Sequence, residues 1–297
     1  VSKNIVKKFI NRVYPLRHFA FFSQRLLTNP RHRELASKIA CRRLPQSNLS
    51  SKNYSHDVEL LQDNGYLILE NLVLPSEIVE MTDWFSKKLT MDRYNAAAGY
   101  FEPTTPPPSC HTASFSTEDI LRSPFALKWA NNEKILSIVE STLGAKATLS
   151  NVSVWWSYPG HDTPQEAENF HRDVDDLRFI KLFIYLTDVD TESGPHAFVP
   201  KSQRHMGYRK IRRYSDQEIT SEFGENSIKY FTGGKGTAFL ENTFGLHKGQ
   251  LPSKKRRLLF QAQYSLHPIG ISTYKAISLT NSGPEEFDKY TNRLYIK

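Results

Sequence analysis

His171 and Asp173 stand two residues apart in Asn169-Phe170-His171-Arg172-Asp173, and a second imidazole, His247, follows in Phe244-Gly245-Leu246-His247-Lys248-Gly249. Two imidazoles and one carboxylate form a facial ligand set that leaves about three coordination positions open, a pattern suited to Fe(II) and dioxygen. Side chains along a strand alternate faces with period two, so an i, i+2 pair at a strand mouth projects to one side and can share an ion. His247 must be carried alongside by the fold, which the sequence permits without requiring. A His-x-Asp pair alone is a weak signal. The same three residue types also suit a catalytic zinc site.

Arg257 strengthens the reading. It lies where Lys254-Lys255-Arg256-Arg257 runs into the β-type segment 258–264. A guanidinium planted on a strand grips a carboxylate through two parallel hydrogen bonds. 2-Oxoglutarate offers that group, with a 2-oxo acid at its other end to chelate Fe(II). Alternation puts Arg257 on the face of Leu259, Gln261 and Gln263, and Arg256 on that of Leu258, Phe260, Ala262 and Tyr264. Arg256 is the rival anchor if the apolar face lines the site. Asp175 shares the parity of Asp173, with Asp176 beside it, and is the rival carboxylate.

With these residues in place, the chain resembles the phytanoyl-CoA dioxygenase family of Fe(II)/2-oxoglutarate oxygenases over roughly residues 57 to 270. Four landmarks occur in the family's order. Asp63-Asn64-Gly65-Tyr66-Leu67-Ile68-Leu69 resembles its opening strand, and Phe170-His171-Arg172-Asp173 its aromatic-His-x-Asp motif. Leu186 to Pro195 with Val199-Pro200-Lys201-Ser202 resembles its strand, acidic turn, Gly-Pro and "Val-Pro-Gly-Ser" run. The distal His247 with Arg257 closes the set. The resemblance implies a double-stranded β-helix (jelly roll, cupin-like) with flanking helices, metal ligation by His171, Asp173 and His247, and 2-oxoglutarate anchored by Arg257. Arg257 to Tyr264 also fits the family's spacing from arginine to a terminal aromatic, and the family register prefers Asp173 over Asp175.

The implied reaction consumes O2 and 2-oxoglutarate, releases succinate and CO2, and hydroxylates an unactivated C–H bond of a small organic molecule. Relatives that halogenate replace the carboxylate with a small residue; here Asp173 fills the position. Desaturation or ring closure is the same chemistry with another outcome. Two departures stand out. Many members carry a lysine before the Pro-Gly that precedes the motif, whereas Trp156-Ser157-Tyr158-Pro159-Gly160 has none. Lys181 is a substitute, although a lysine whose stem packs on the sheet and whose ammonium reaches solvent is the simpler expectation. Pro200-Lys201-Ser202-Gln203, where members read Pro-Gly-Ser-His, reads as a surface change.

Competing readings of the same residues are weaker. His171-Arg172-Asp173 spells a kinase triplet, but no Asp-Phe-Gly and no glycine-rich loop with its lysine strand accompany it. In Thr232-Gly233-Gly234-Lys235-Gly236-Thr237 the lysine is followed by glycine where a phosphate loop needs Ser or Thr. His161, His196 and His205 read as hydrogen-bonded or solvated loop histidines. A noncatalytic β-helix module that keeps the metal set, or a Zn-dependent hydrolase, leaves Arg257 without a task.

The elements that must position these residues are mostly short strands. Strand-like runs fall at 66–70, 152–156, 179–187, 197–199, 229–231, 237–240 and 258–264, separated by Gly and Pro turns, as in a sandwich or jelly roll. Pro75 opens a helix with the stripe Ile78, Met81, Phe85, and residues 133–143 form a second, capped by Gly144. Residues 96–117, rich in proline and without periodicity, are expected to form an irregular lid over the iron. The 297 residues divide into a basic extension, 1–50, and one catalytic domain, 51–297.

Charge is concentrated in the extension. Residues 1–45 hold eleven Lys or Arg against Glu34, a balance of +10, while the whole chain is +8, so the remainder sums to −2. Ile5, Phe9, Ile10 and Val13 recur at helical spacing opposite Lys7, Lys8 and Arg12, a basic amphipathic helix ending before Pro15. Its contacts would be an anionic membrane surface, another subunit or nucleic acid, with packing on its own domain as the competing reading. The expected partner of the site is a small-molecule substrate and not a nucleic acid. No run of about 18 apolar residues marks a membrane span. Cys41 and Cys110 show neither metal spacing nor a disulfide framework, which suits a reducing, cytoplasmic setting; an organelle matrix is the alternative if the Arg-rich start is a targeting segment.

Overall fold

Alternation along the longest strands decides the architecture. In β6 (Phe179–Tyr185) Ile180, Leu182 and Ile184 join one apolar cluster, while Phe183 and Tyr185 join another. In β11 (Arg257–Ser265) Leu258, Phe260, Ala262 and Tyr264 belong to the first cluster and Leu259 to the second. A strand buried on both faces is a central strand between two layers. The computed structural model describes residues 16–278 and 287–297.

The remaining strands complete two antiparallel sheets. In chain order they are β1 (Tyr66–Leu69), β2 (Thr90–Asp92), β3 (Tyr100–Phe101), β4 (Thr112–Ser114), β5 (Thr148–Ser157), β7 (His196–Phe198), β8 (Lys229–Phe231), β9 (Ala238–Glu241) and β10 (His247–Gly249). The large sheet runs β1-β9-β6-β11-β5-β4-β2-β3 and the small one β10-β7-β8. Residues 170–171 extend the small sheet through bridges to Tyr214 and His247. Phe198 and Phe231 of the small sheet meet Trp155, Phe183, Phe239 and Leu259 of the large one in the sandwich interior. The chain therefore alternates between facing sheets, the winding of a double-stranded β-helix.

Helices cover the outer face of the large sheet. In Pro75–Ser86 the stripe Ile78, Met81 and Phe85 is buried, each side chain contributing about 1.5–3 kcal/mol of transfer free energy. Helix Glu133–Leu143 starts where the Asn132 side chain accepts from Ile135 N–H and ends at Gly144, whose φ of 79° suits a residue without Cβ. Both helices and most of the strands expected from the pattern are present. The segment 96–117 is not a free lid: β3 pairs with β2, and β4 lies between β2 and β5. Tyr158 Oη and Arg256 Nη1 both donate to Pro103 O, which fixes the proline-rich turn between them.

The described part of the basic extension packs on the domain. Residues 16–25 are helical, and Arg17 Nη2 donates to Ile269 O at 3.1 Å. In helix Pro30–Cys41, Arg33 is buried and its guanidinium reaches Leu27 O, Gln24 Oε1 and Asp176 O. The amphipathic pattern of Ile5, Phe9, Ile10 and Val13 lies outside the described residues.

The run Pro200-Lys201-Ser202-Gln203 is only partly a surface feature. Lys201 is exposed, but Gln203 is buried and its Nε2 donates to Gln62 O and Asp63 O at the end of helix Ser55–Asn64. Ser202 Oγ accepts from Leu246 N–H at 2.7 Å, steadying the residue before His247. Lys201 occupies the left-handed region at φ 65°, where the family's run has glycine. A side chain there costs about 1 kcal/mol. Lys201→Gly is expected to stabilise the protein by about that amount, raising Tm by about 2–4 °C; a scanning-calorimetry shift of zero or below would contradict this.

Candidate metal centre and active-site cavity

The two halves of the candidate metal centre are joined by backbone pairing. His171 N–H donates to His247 O at 2.9 Å, and His247 N–H donates to His171 O at 3.0 Å. Asp173 N–H donates to Thr243 O at 2.9 Å, continuing the same antiparallel contact. Thus His171 and Asp173, with i, i+2 parity, and His247, opposite His171, turn their side chains to one side.

The three groups converge. His171 Nε2 lies 3.5 Å from Asp173 Oδ1, and His247 Nε2 lies 3.3 Å from Asp173 Oδ2. One ligand atom from each of the three residues lies within 4.8 Å of the other two, so side-chain rotation has to bring them to the roughly 3 Å spacing of ligands at right angles on one ion. His171 Nδ1 is 2.9 Å from Asn169 O and His247 Nδ1 is 3.0 Å from Gly245 O. A carbonyl only accepts, so each Nδ1 carries the proton and each Nε2 keeps its lone pair for a metal. Among the described residues no other His, Cys, Asp or Glu group converges in this way.

Lys181 was expected to carry its ammonium to solvent, and the structure corrects this. Its inward parity in β6 buries the side chain, and Nζ lies 2.6 Å from Asp173 Oδ2 and 3.7 Å from Asp175 Oδ2. Burial alone would raise the Asp173 carboxyl, but Lys181 and the two imidazoles hold it well below the usual carboxylate range. Burial would also lower the Lys181 ammonium, which Asp173 and Asp175 hold up instead. Burial and the neighbouring His247 push His171 down, favouring the neutral ring that metals bind.

Arg257 is 2% exposed and lines one cavity of 140 Å³ with the three convergent residues. Its Nη2 lies 3.3 Å from Ser157 Oγ, while Nε and Nη1 have no partner. Unused donors at both Nε and Nη1 leave this buried guanidinium able to take a carboxylate. Arg256 points the other way: Nη1 donates to Pro103 O and the guanidinium lies 4.4 Å from the Trp156 ring centroid. Alternation from Leu258 onward thus puts Arg257, and not Arg256, in the cavity.

Sequence reasoning missed several neighbours. His196 is not a loop histidine but sits buried in β7, with Nε2 3.1 Å from Glu241 Oε1 and its ring stacked 5.5 Å from that of His247. Burial pushes Glu241 up to about 8 and, with Arg257, pushes His196 well below the usual imidazole range, so this pair is neutral near pH 7. Glu168, in the turn before the motif, enters the cavity with Oε2 2.8 Å from His111 Nδ1. Arg93 and Thr112 arrive from the edge strands. Period-two parity flags Lys181 as a partner of Phe183; no local pattern flags Glu168 or Arg93. A wider depression of 380 Å³ beside Tyr274 and Tyr295 contains none of the convergent groups.

A jelly roll that opens on two imidazoles, a carboxylate and a free buried guanidinium belongs to the metal-dependent dioxygenases, a class of oxidoreductases. The chain is a member of the phytanoyl-CoA dioxygenase (PhyH) family, whose sequence model matches residues 61–250. Solved structures share the fold at low identity. EctD from S. alaskensis with bound Fe is 15% identical, covers 86% of this chain and 90% of its own, and superposes with a TM-score of 0.52. EctD with 2-oxoglutarate and 5-hydroxyectoine gives 16% identity over 75% and 79% with a TM-score of 0.51. HygX from Streptomyces hygroscopicus, with nickel, 2-oxoglutarate and hygromycin B, gives 14% over 78% and 93%, also at 0.51. No curated protein sequence matches this one significantly.

The Asp173–Lys181 pair has a stability consequence. Asp173→Ala strands a buried ammonium with only the more distant Asp175, and in metal-free protein should cost about 3–5 kcal/mol. Adding Lys181→Met removes the stranded charge and should recover most of that loss in urea unfolding. Additive losses in the double variant would show that the two groups are not coupled.

Proposed function

We propose that the protein is an Fe(II)- and 2-oxoglutarate-dependent dioxygenase that hydroxylates an unactivated C–H bond of a small organic molecule. The balance is substrate, 2-oxoglutarate and O2 converted to hydroxylated substrate, succinate and CO2. His171, Asp173 and His247 would hold the iron, which supplies the oxidising step when bound. The observation that carries the reading is the pairing of this convergent triad with a buried guanidinium whose Nε and Nη1 lack partners in the same cavity. Family membership supports it. So do structural neighbours solved with Fe or with nickel and 2-oxoglutarate.

The chain's own residues then have distinct tasks. The carbonyls of Asn169 and Gly245 fix the imidazole tautomers. Lys181 holds one Asp173 oxygen and so favours coordination through the other. Arg257 takes the far carboxylate of 2-oxoglutarate, with Ser157 orienting its Nη2. Phe183 and Leu259 add apolar walls to the cavity that would hold the co-substrate.

Purified protein mixed anaerobically with Fe(II) and 2-oxoglutarate is expected to show a weak visible charge-transfer band, and succinate should appear on admitting air. A zinc hydrolase or an inert binding module gives neither. His171→Ala and Asp173→Ala should abolish iron binding. Arg257→Ala should raise the 2-oxoglutarate concentration needed by roughly ten- to a hundredfold, the worth of a charge-assisted hydrogen bond, while Arg256→Ala leaves it within about twofold. The reverse pattern at these two arginines would overturn the assigned anchor.

A further inference from the structure

Two consecutive helices present apolar faces outward that are left exposed among the described residues. In the helical residues 16–25 and the turn after them, Leu16, Phe19, Phe22 and Leu26 are 68%, 73%, 58% and 82% exposed. At helical spacing these positions share an arc of about 120°. The opposite arc docks on the domain through buried Phe21, Arg17 to Ile269 O, and Gln24 Nε2 to Val174 O. Helix Pro30–Cys41 repeats the arrangement: Arg33, Ser37 and Cys41 face inward, while Leu35 and Ile39, one turn apart, are 61% and 50% exposed. Single exposed apolar residues are ordinary. Six on two consecutive helices are more than scattered exposure and mark a candidate contact surface.

Charge identifies its partner. Exposed Arg31, Lys38, Arg42 and Arg43 flank Leu35 and Ile39, the arrangement in which apolar groups enter a membrane interface while cations meet headgroups. Glu34, the one acid among the first 45 residues, is engaged by Arg178 at 2.7 Å and Lys38 at 3.4 Å. Residues 16–45 carry +6, with Arg17, Arg25 and Arg33 turned to the domain and Arg31, Lys38, Arg42 and Arg43 exposed, and residues 1–15 add +4 through Lys3, Lys7, Lys8 and Arg12. Covering the stripe with residues 1–15, or with a second copy of the same surface, would set cation against cation. An anionic lipid surface complements both. No helix among the described residues is long and apolar enough to cross a membrane, so the contact is interfacial.

We propose that residues 16–43 form a peripheral docking surface for membranes rich in anionic phospholipid, with Leu16, Phe19, Phe22, Leu26, Leu35 and Ile39 inserting and the surrounding Arg and Lys side chains meeting headgroups. This surface is separate from the candidate metal ligands, so the inference stands or fails independently of the dioxygenase reading.

Sedimentation of the full chain with unilamellar vesicles tests it, comparing phosphatidylcholine alone with a mixture containing about 30% phosphatidylglycerol. Partition is expected to be at least tenfold stronger on the anionic vesicles and to weaken at high salt. Phe19→Ser combined with Phe22→Ser should lower it about tenfold or more. Arg42→Glu combined with Arg43→Glu should lower it more than tenfold, at about fivefold per basic residue. All four positions are exposed, and unchanged thermal unfolding confirms that the variants fold. Equal partition onto both vesicle types, or anionic binding untouched by the Phe19→Ser, Phe22→Ser pair, would overturn the proposal. So would a wild-type dimer that the same pair dissociates, since the stripe would then be covered by a second copy.

Discussion

Two backbone hydrogen bonds between His171 and His247 set up everything the candidate site can do. They join segments far apart in sequence, one following β5 and the other forming β10, and they fix the side-chain direction of both imidazoles at once. Asp173 inherits its direction from the same pairing, two residues along. Three ligand atoms thus converge without any of them resting on a free loop. A slip of one residue in this pairing would turn the imidazoles to opposite sides.

Electrostatics complete what the pairing begins. A half-buried carboxylate beside two imidazoles would ordinarily be costly, and the buried Lys181 ammonium offsets that cost while keeping Asp173 ionised. Behind the cavity wall, Glu241 meets His196 beside His247, and burial favours the uncharged form of both. Arg257 is then a buried cation of the cavity whose donors remain partly free, and a dicarboxylate co-substrate is a natural complement. The inner face of the jelly roll is polar at the cavity end for this reason, while the rest of the interior is apolar.

Much of this was legible from sequence because the relevant signals are local. The His-x-Asp spacing, the alternation from Leu258 to Tyr264 that separates Arg257 from Arg256, and the helix spans ending at Gly144 and around Ser86 all depend on neighbouring residues. What was missed depends on packing between remote segments. Lys181 looks solvent-bound until β6 is known to be covered on both faces. His196 looks like a loop residue because a three-residue strand after Gly194-Pro195 leaves no period to detect. The edge strands β2 to β4 were hidden by prolines, which shaped the turns between them and suggested a lid where the sheet in fact continues. Gln203 looks like a surface residue until the end of helix Ser55–Asn64 is seen to receive its side chain.

Diffraction from crystals grown anaerobically with Fe(II) and 2-oxoglutarate tests the central claim most directly. The account predicts an iron anomalous peak bonded to His171 Nε2, His247 Nε2 and one oxygen of Asp173, with the distal carboxylate of 2-oxoglutarate on Arg257. Iron bound at any other group of side chains, or a distal carboxylate held by Arg256 or Lys181 instead, would contradict it.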